Sequence, residues 1–197
     1  SLIQPGTVSK SKSGDNVRVT WHFGANNETS KFKLEYKVSG VILRYIDVAV
    51  LYYKFIGDDW DRQIGNVSVR VYAPQGASVS NVRAWAHGPL HGTVDIHEGG
   101  VVHFDVRPLP ARTFWEGRII YPSAVFHEMP GQDLAMRARI FKEESEWAEE
   151  ANRRREAQQR YNEEQAVRRE RQKAIAGRLG PVGWVLGLAG LAMWFVL

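Results

Sequence analysis

The chain has 197 residues, enough for one ordinary domain and an appendage, and no cysteine, which excludes disulfides, Cys-ligated zinc and a thiol nucleophile. Its formal charge of +4 is unevenly laid out. Residues 1–136 carry 14 Lys+Arg against 13 Asp+Glu, residues 137–178 carry 12 against 9, and Gly180–Leu197 carry none, so composition changes near residues 136 and 179.

The first part, 1–135, reads as strands and turns. In "NVRVTWHF" (16–23) Val17, Val19, Trp21 and Phe23 share one face. In "KFKLEYKV" (31–38) Phe32, Leu34, Tyr36 and Val38 point one way, and Lys31, Lys33, Glu35 and Lys37 the other. Such alternation suits an antiparallel sheet with one wet face. The run "VILRYIDVAVLYYKFI" (41–56) is rich in β-branched and aromatic residues, which favours buried strand. Further strands are predicted in "NVSVRVYAP" (66–74), "NVRAWAHG" (81–88) and "EGRIIYP" (116–122). "GTVDIHEGGVVHFDV" (92–106) reads as a hairpin turning at Gly99-Gly100. Seven or eight short strands without helical periodicity predict a mainly β fold, an immunoglobulin-like antiparallel β-sandwich.

Residues 136–178 are almost all strong helix formers, with acids early and bases late, as the helix dipole favours. The apolar positions Ile140, Phe141, Trp147, Ala151, Tyr161 and Val167 are too sparse for a coiled-coil seam. The plain reading is a long solvated helix. The sharper one is a surface, 136–177, for other proteins or a second copy. Its arginines alternate with glutamates and lack stacking aromatics, which argues against nucleic acid. The segment 179–197 contains the uncharged stretch "GPVGWVLGLAGLAMWFVL", long enough for about 27 Å of helix and flanked by Trp184 and Trp194. It is expected to span a lipid bilayer, cut short at Leu197.

Three constellations invite chemistry. Asp58, Asp59 and Asp61 surround Trp60, but a calcium loop starting at Asp59 would need glycine at Ile64 and glutamate at Arg70. A turn, in which Asp side chains bond nearby N–H groups, is the simpler reading. His97 and His103 are drawn across the hairpin from each other, with Asp95 and Asp105 paired one alternation outward, as a weak site for a divalent metal. No G-x-S-x-G elbow and no phosphate-cradling glycine loop occurs. No cofactor is expected, and the balance leans away from an enzyme, with a metal-dependent hydrolase as the alternative.

The phrases "KFIGDDWD" (54–61), "NVSVRVYAP" (66–74) and "AWAHGPLHG" (84–92), in that order, resemble the YciQ-like family of predicted bacterial membrane proteins of unknown function. The resemblance covers about residues 16–125. It implies an exported β-domain tethered by transmembrane helices, hence a cell-membrane location with the β-domain extracytoplasmic. No catalytic residue carries over. Asp58, Asp59, Trp60, Asp61, Trp85 and His87 are the candidate binding residues on these motifs, though turn and packing roles come first for them. The charges point the other way. Residues 168–178 hold five bases and one acid, which by the positive-inside rule places the preceding domain in the cytoplasm.

Overall fold

The computed structural model describes residues 6–14 and 16–193, with side chains to Ala176. The expected span at 179–197 lies beyond the residues whose side chains are described. Among the described residues, no helix is long and apolar enough to cross a membrane.

The chain divides into two units, 1–39 and 40–197. In the first, β1 (Thr7–Ser13) and β2 (Asn16–His22) form an antiparallel hairpin. The strand expected over 31–38 is absent: that segment carries the right alternation but joins no ladder among the described residues. Phe32 instead packs near Phe23 and Trp21, with ring centroids 4.7 and 6.0 Å away.

The second unit is mainly β with one long helix. A five-stranded sheet has the order β10-β3-β4-β9-β6, built from β3 (Ile42–Tyr45), β4 (Val48–Ile56), β6 (Arg83–His87), β9 (Trp115–Pro122) and the short β10 (Gly131–Gln132). A three-stranded sheet has the order β5-β8-β7, from β5 (Val67–Val71), β7 (Thr93–Ile96) and β8 (Val102–Val106). The apolar run 41–56 is thus two strands, and the 92–106 hairpin turns through Gly99 and Gly100, both at positive φ.

Period-2 alternation sorts the five-stranded sheet into two buried faces. Ala49, Ile119, Tyr121 and Trp115 join Val67, Val102, Phe104 and Val106 of the other sheet in one core. Val48, Val50, Ile120, Tyr45 and Trp85 point the opposite way and meet Met136 and Ile140. These last two belong to the start of α1 (Arg137–Met193) and the residue before it. The sheet is therefore covered by strands on one side and by a helix on the other. This explains why β4 reads as a nearly continuous apolar run and why Ile119, Ile120 and Tyr121 are consecutive apolar residues in β9.

The helix start is fixed from a distance. Met136 occupies the N-cap position, since its carbonyl accepts from the Ile140 N–H at 2.9 Å, yet its side chain cannot cap. Asp47, in the β3–β4 turn, accepts from the Met136 and Arg137 N–H groups at 2.8 and 3.0 Å. Burial pushes the Asp47 carboxyl up, but these backbone donors and the Arg137 charge outweigh it and hold the group below its ordinary range. A carboxylate depressed on folding stabilises the fold above its unfolded value of about 3.9. That contribution disappears as pH falls through the lower folded value. Asp47→Ala is expected to cost about 1–2 kcal/mol, as loss of a helix cap does. Urea unfolding at pH 7 checks this, and the difference from the native chain should shrink as the pH is lowered below about 3.9.

Candidate functional site

The helix-covered face of the five-stranded sheet carries the site. Along β9, Trp115, Gly117 and Ile119 turn to the inter-sheet core, so Glu116 and Arg118 must face α1. On β6 the same alternation sends Ala84 and Ala86 inward and Trp85 and His87 toward the helix. Tyr52 of β4 lies on that face too. From α1 come Glu144 and Trp147, on a stripe that runs Met136, Ile140, Glu144, Trp147, Ala151 with helical spacing.

Glu144 is at the centre. Its side chain is only 3% exposed, and Oε2 lies 2.9 Å from His87 Nε2. Oε1 lies 2.9 Å from Arg118 Nη1, a charge contact whose angle does not make a hydrogen bond. Arg118 donates a true hydrogen bond from Nη1 to Glu143 Oε2 at 3.1 Å. Its guanidinium also sits over the Tyr52 and Trp147 rings, 4.5 and 5.1 Å from their centroids. Arg139 donates to Glu143 at 2.9 Å. The bond from Arg139, joined by that from Arg118 against a smaller burial penalty, keeps the Glu143 carboxyl below its usual range. Tyr52 donates to Glu116 Oε1 at 2.6 Å. Burial, then this bond to a carboxylate, pushes the Tyr52 phenol up.

His87 is held on several sides. Glu144 takes Nε2, Glu116 Oε1 stands 3.7 Å from Nδ1, and the Trp147 and Tyr52 rings meet it edge-on at 4.9 and 5.7 Å. Nδ1 is buried without a hydrogen bond, as is Arg118 Nε. Beside this network opens a cleft of about 540 Å³. Trp85, Trp147, Phe114 and Leu90 line it with His87 and Glu116, and Glu150, Arg154 and Arg155 stand at its helix side. Arg155 donates to the Leu90 carbonyl at 2.8 and 3.2 Å, tying α1 to the loop after β6.

The residues singled out in the sequence fall in three places. Trp85 and His87 line the cleft. Asp58, Asp59, Trp60 and Asp61 lie elsewhere, all exposed, with Asp58 and Asp59 in the turn that follows β4. His97 and His103 do come together, with ring centroids 4.1 Å apart. The register drawn from sequence is corrected, however. Asp95 stands opposite His103 and Thr93 opposite Asp105, because a 3-10 turn over Glu98–Gly100 shifts the pairing by two residues. The two histidines are thus diagonal neighbours on an open sheet face, and no group of three or more His, Asp or Glu side chains suited to a metal occurs among the described residues.

Tyr52, Glu116, Arg118, Glu144 and Trp147 were not among the candidates. The usable signal was the helical stripe through 136, 140, 144, 147 and 151, whose middle slot holds a glutamate. A matching arginine stands in β9, between Gly117 and Ile119.

The motif "AWAHGPLHG" has a structural job beside the cleft. A Cβ at Gly88 would lie 2.7 Å from the Phe114 carbonyl oxygen and 2.8 Å from the Trp115 ring. At Gly92 the ring would be nearer still. The two glycines therefore let this loop close over Trp115, which is 1% exposed.

No curated protein and no solved structure matches the chain. A family model described as the N-terminal domain of a predicted membrane protein (DUF2207) matches residues 4–121. That match spans well over half of the chain and contains all three motif phrases, so the chain belongs to this family of predicted membrane proteins of unknown function.

Proposed function

We propose that the chain is a membrane-tethered, extracytoplasmic binding module of the bacterial envelope, with the cleft between β6, β9 and α1 as its ligand site. In this reading the two sheets form an immunoglobulin-like sandwich, and the apolar segment at 179–197 is the tether. The observation that carries the proposal is the division of labour at the cleft. Its ionic floor is occupied internally, Glu144 by Arg118 and His87, while its aromatic walls stay open. A volume of about 540 Å³ falls in the small-molecule range. Among the described residues, no serine, threonine or cysteine lines the cleft, so aliphatic-hydroxyl or thiol nucleophilic chemistry has no agent there.

Topology tests the reading. Glu98 is exposed in the β7–β8 turn, and these 197 residues contain no competing thiol. Glu98→Cys in the full-length protein, expressed in its host, should react with a membrane-impermeant maleimide in intact cells. Labelling that appears only after lysis would place the domain in the cytoplasm, as the basic residues 168–178 suggest, and the envelope role would fall.

A further inference from the structure

We infer that the cleft takes a neutral, hydroxyl-rich ligand, an oligosaccharide, stacked on Trp147. The inference rests on the cleft being the ligand site. Charge is the first argument. Both signs border the cleft, and those on the helix side are already matched: Glu150 accepts from Arg153 at 2.7 Å and from Arg154 at 2.9 Å, and Arg155 is spent on the Leu90 carbonyl. A strongly charged ligand would meet like charge as well as opposite charge, and the helix-side groups Glu150, Arg154 and Arg155 already have partners. A hydroxyl both donates and accepts, so it can bridge a carboxylate and a guanidinium without breaking either pair.

The aromatic surface is the second argument. Trp147 is 44% exposed although its ring is fixed by the His87 edge and the Arg118 guanidinium. Trp85 is fixed in turn, edge-on against Phe141 at 5.5 Å. Rigid indoles offer a flat apolar platform at small entropic cost, and the C–H face of a pyranose is flat and apolar. The third argument is an open acceptor. Glu116 gives Oε1 to Tyr52, and Oε2 takes no hydrogen bond among the described residues. The side chain is 15% exposed and lines the cleft, which suits a sugar hydroxyl approaching from the cleft side.

The test is calorimetric titration of the full chain in lauryldimethylamine oxide micelles, since glycoside detergents would compete. The probes are maltotriose, cellotriose and tri-N-acetylchitotriose, with trilysine and triglutamate as charged counterparts. At least one neutral trisaccharide should bind saturably, with an affinity that changes less than about twofold between 0.05 and 0.5 M salt. Trp147→Ala should weaken it at least tenfold. Because Trp147 also contacts His87, a second variant is needed: Ala148→Trp, at an exposed position on the cleft edge, fills the space without touching the core and should abolish binding at an unchanged melting temperature. Binding of a charged peptide alone, or of no probe, overturns the ligand class and leaves the topological result standing. Trisaccharide binding that Ala148→Trp leaves intact overturns the cleft as the site.

Discussion

Glu144→Ala is expected to destabilise the 40–197 unit by about 3–5 kcal/mol, the usual cost of removing one partner from a buried ion pair. The side chain it deletes is 3% exposed and faces two groups that cannot follow it into water. Arg118 is 9% exposed, its Nε already lacks a partner, and only Glu143 would remain to balance it. His87 would lose its one carboxylate at hydrogen-bond distance. Both left-over groups lie on the sheet, so the penalty falls on the docking of α1 and should appear as a lower urea midpoint. Glu144→Gln keeps an acceptor for one neighbour and should cost less. The double variant Glu144→Ala/Arg118→Met should recover much of the loss, since no buried charge is then stranded. A double variant as unstable as the sum of its parts would mean that the two side chains act independently.

Gly88→Ala should cost about 2–5 kcal/mol, combining overpacking with backbone strain. The new Cβ would press on a backbone carbonyl and on the Trp115 ring, and neither can yield. The residue also sits at φ +144°, which L side chains rarely adopt. Gly99→Ala is the control. Its φ is +70° but nothing lies within 4 Å of the added methyl, so it should cost only about 1 kcal/mol. Thermal unfolding of the two variants side by side separates steric from conformational cost. Equal losses would show that the closure of the 88–92 loop over Trp115 adds nothing.

The β architecture was legible because alternation survives wherever one face of a strand is wet. "NVSVRVYAP", the 92–106 hairpin and its two-glycine turn could be placed this way. The segment 31–38 shows the limit of the method: alternation reports amphipathicity, whereas a strand also needs a neighbour to hydrogen-bond. The cleft was half legible. Trp85 and His87 stand on one face of a readable strand, but what covers that face comes from 57 residues further along the chain. Glu144 looked like one more acid in the acid-rich early part of the helix. Its slot on the helical stripe sets it apart, but its pairing with Arg118, a long-range contact between two segments, is not written in either one. Asp47 is similar, a loop aspartate whose partners are helix N–H groups 89 and 90 positions away.

Only the first four turns or so of α1 touch the sheet, while residues 152–176 are exposed almost throughout. A helix clamped at one end is a lever. From Ala151 to Ala176 it extends about 38 Å, so a tilt of about 5° at the clamp displaces its far end by about 3 Å. The clamp is the same set of side chains that walls the cleft. A change in the fit of Trp147 against His87 that tilts the helix by this much would therefore move Ala176 further than it moves the sheet contact, and a label near Ala176 would test for it.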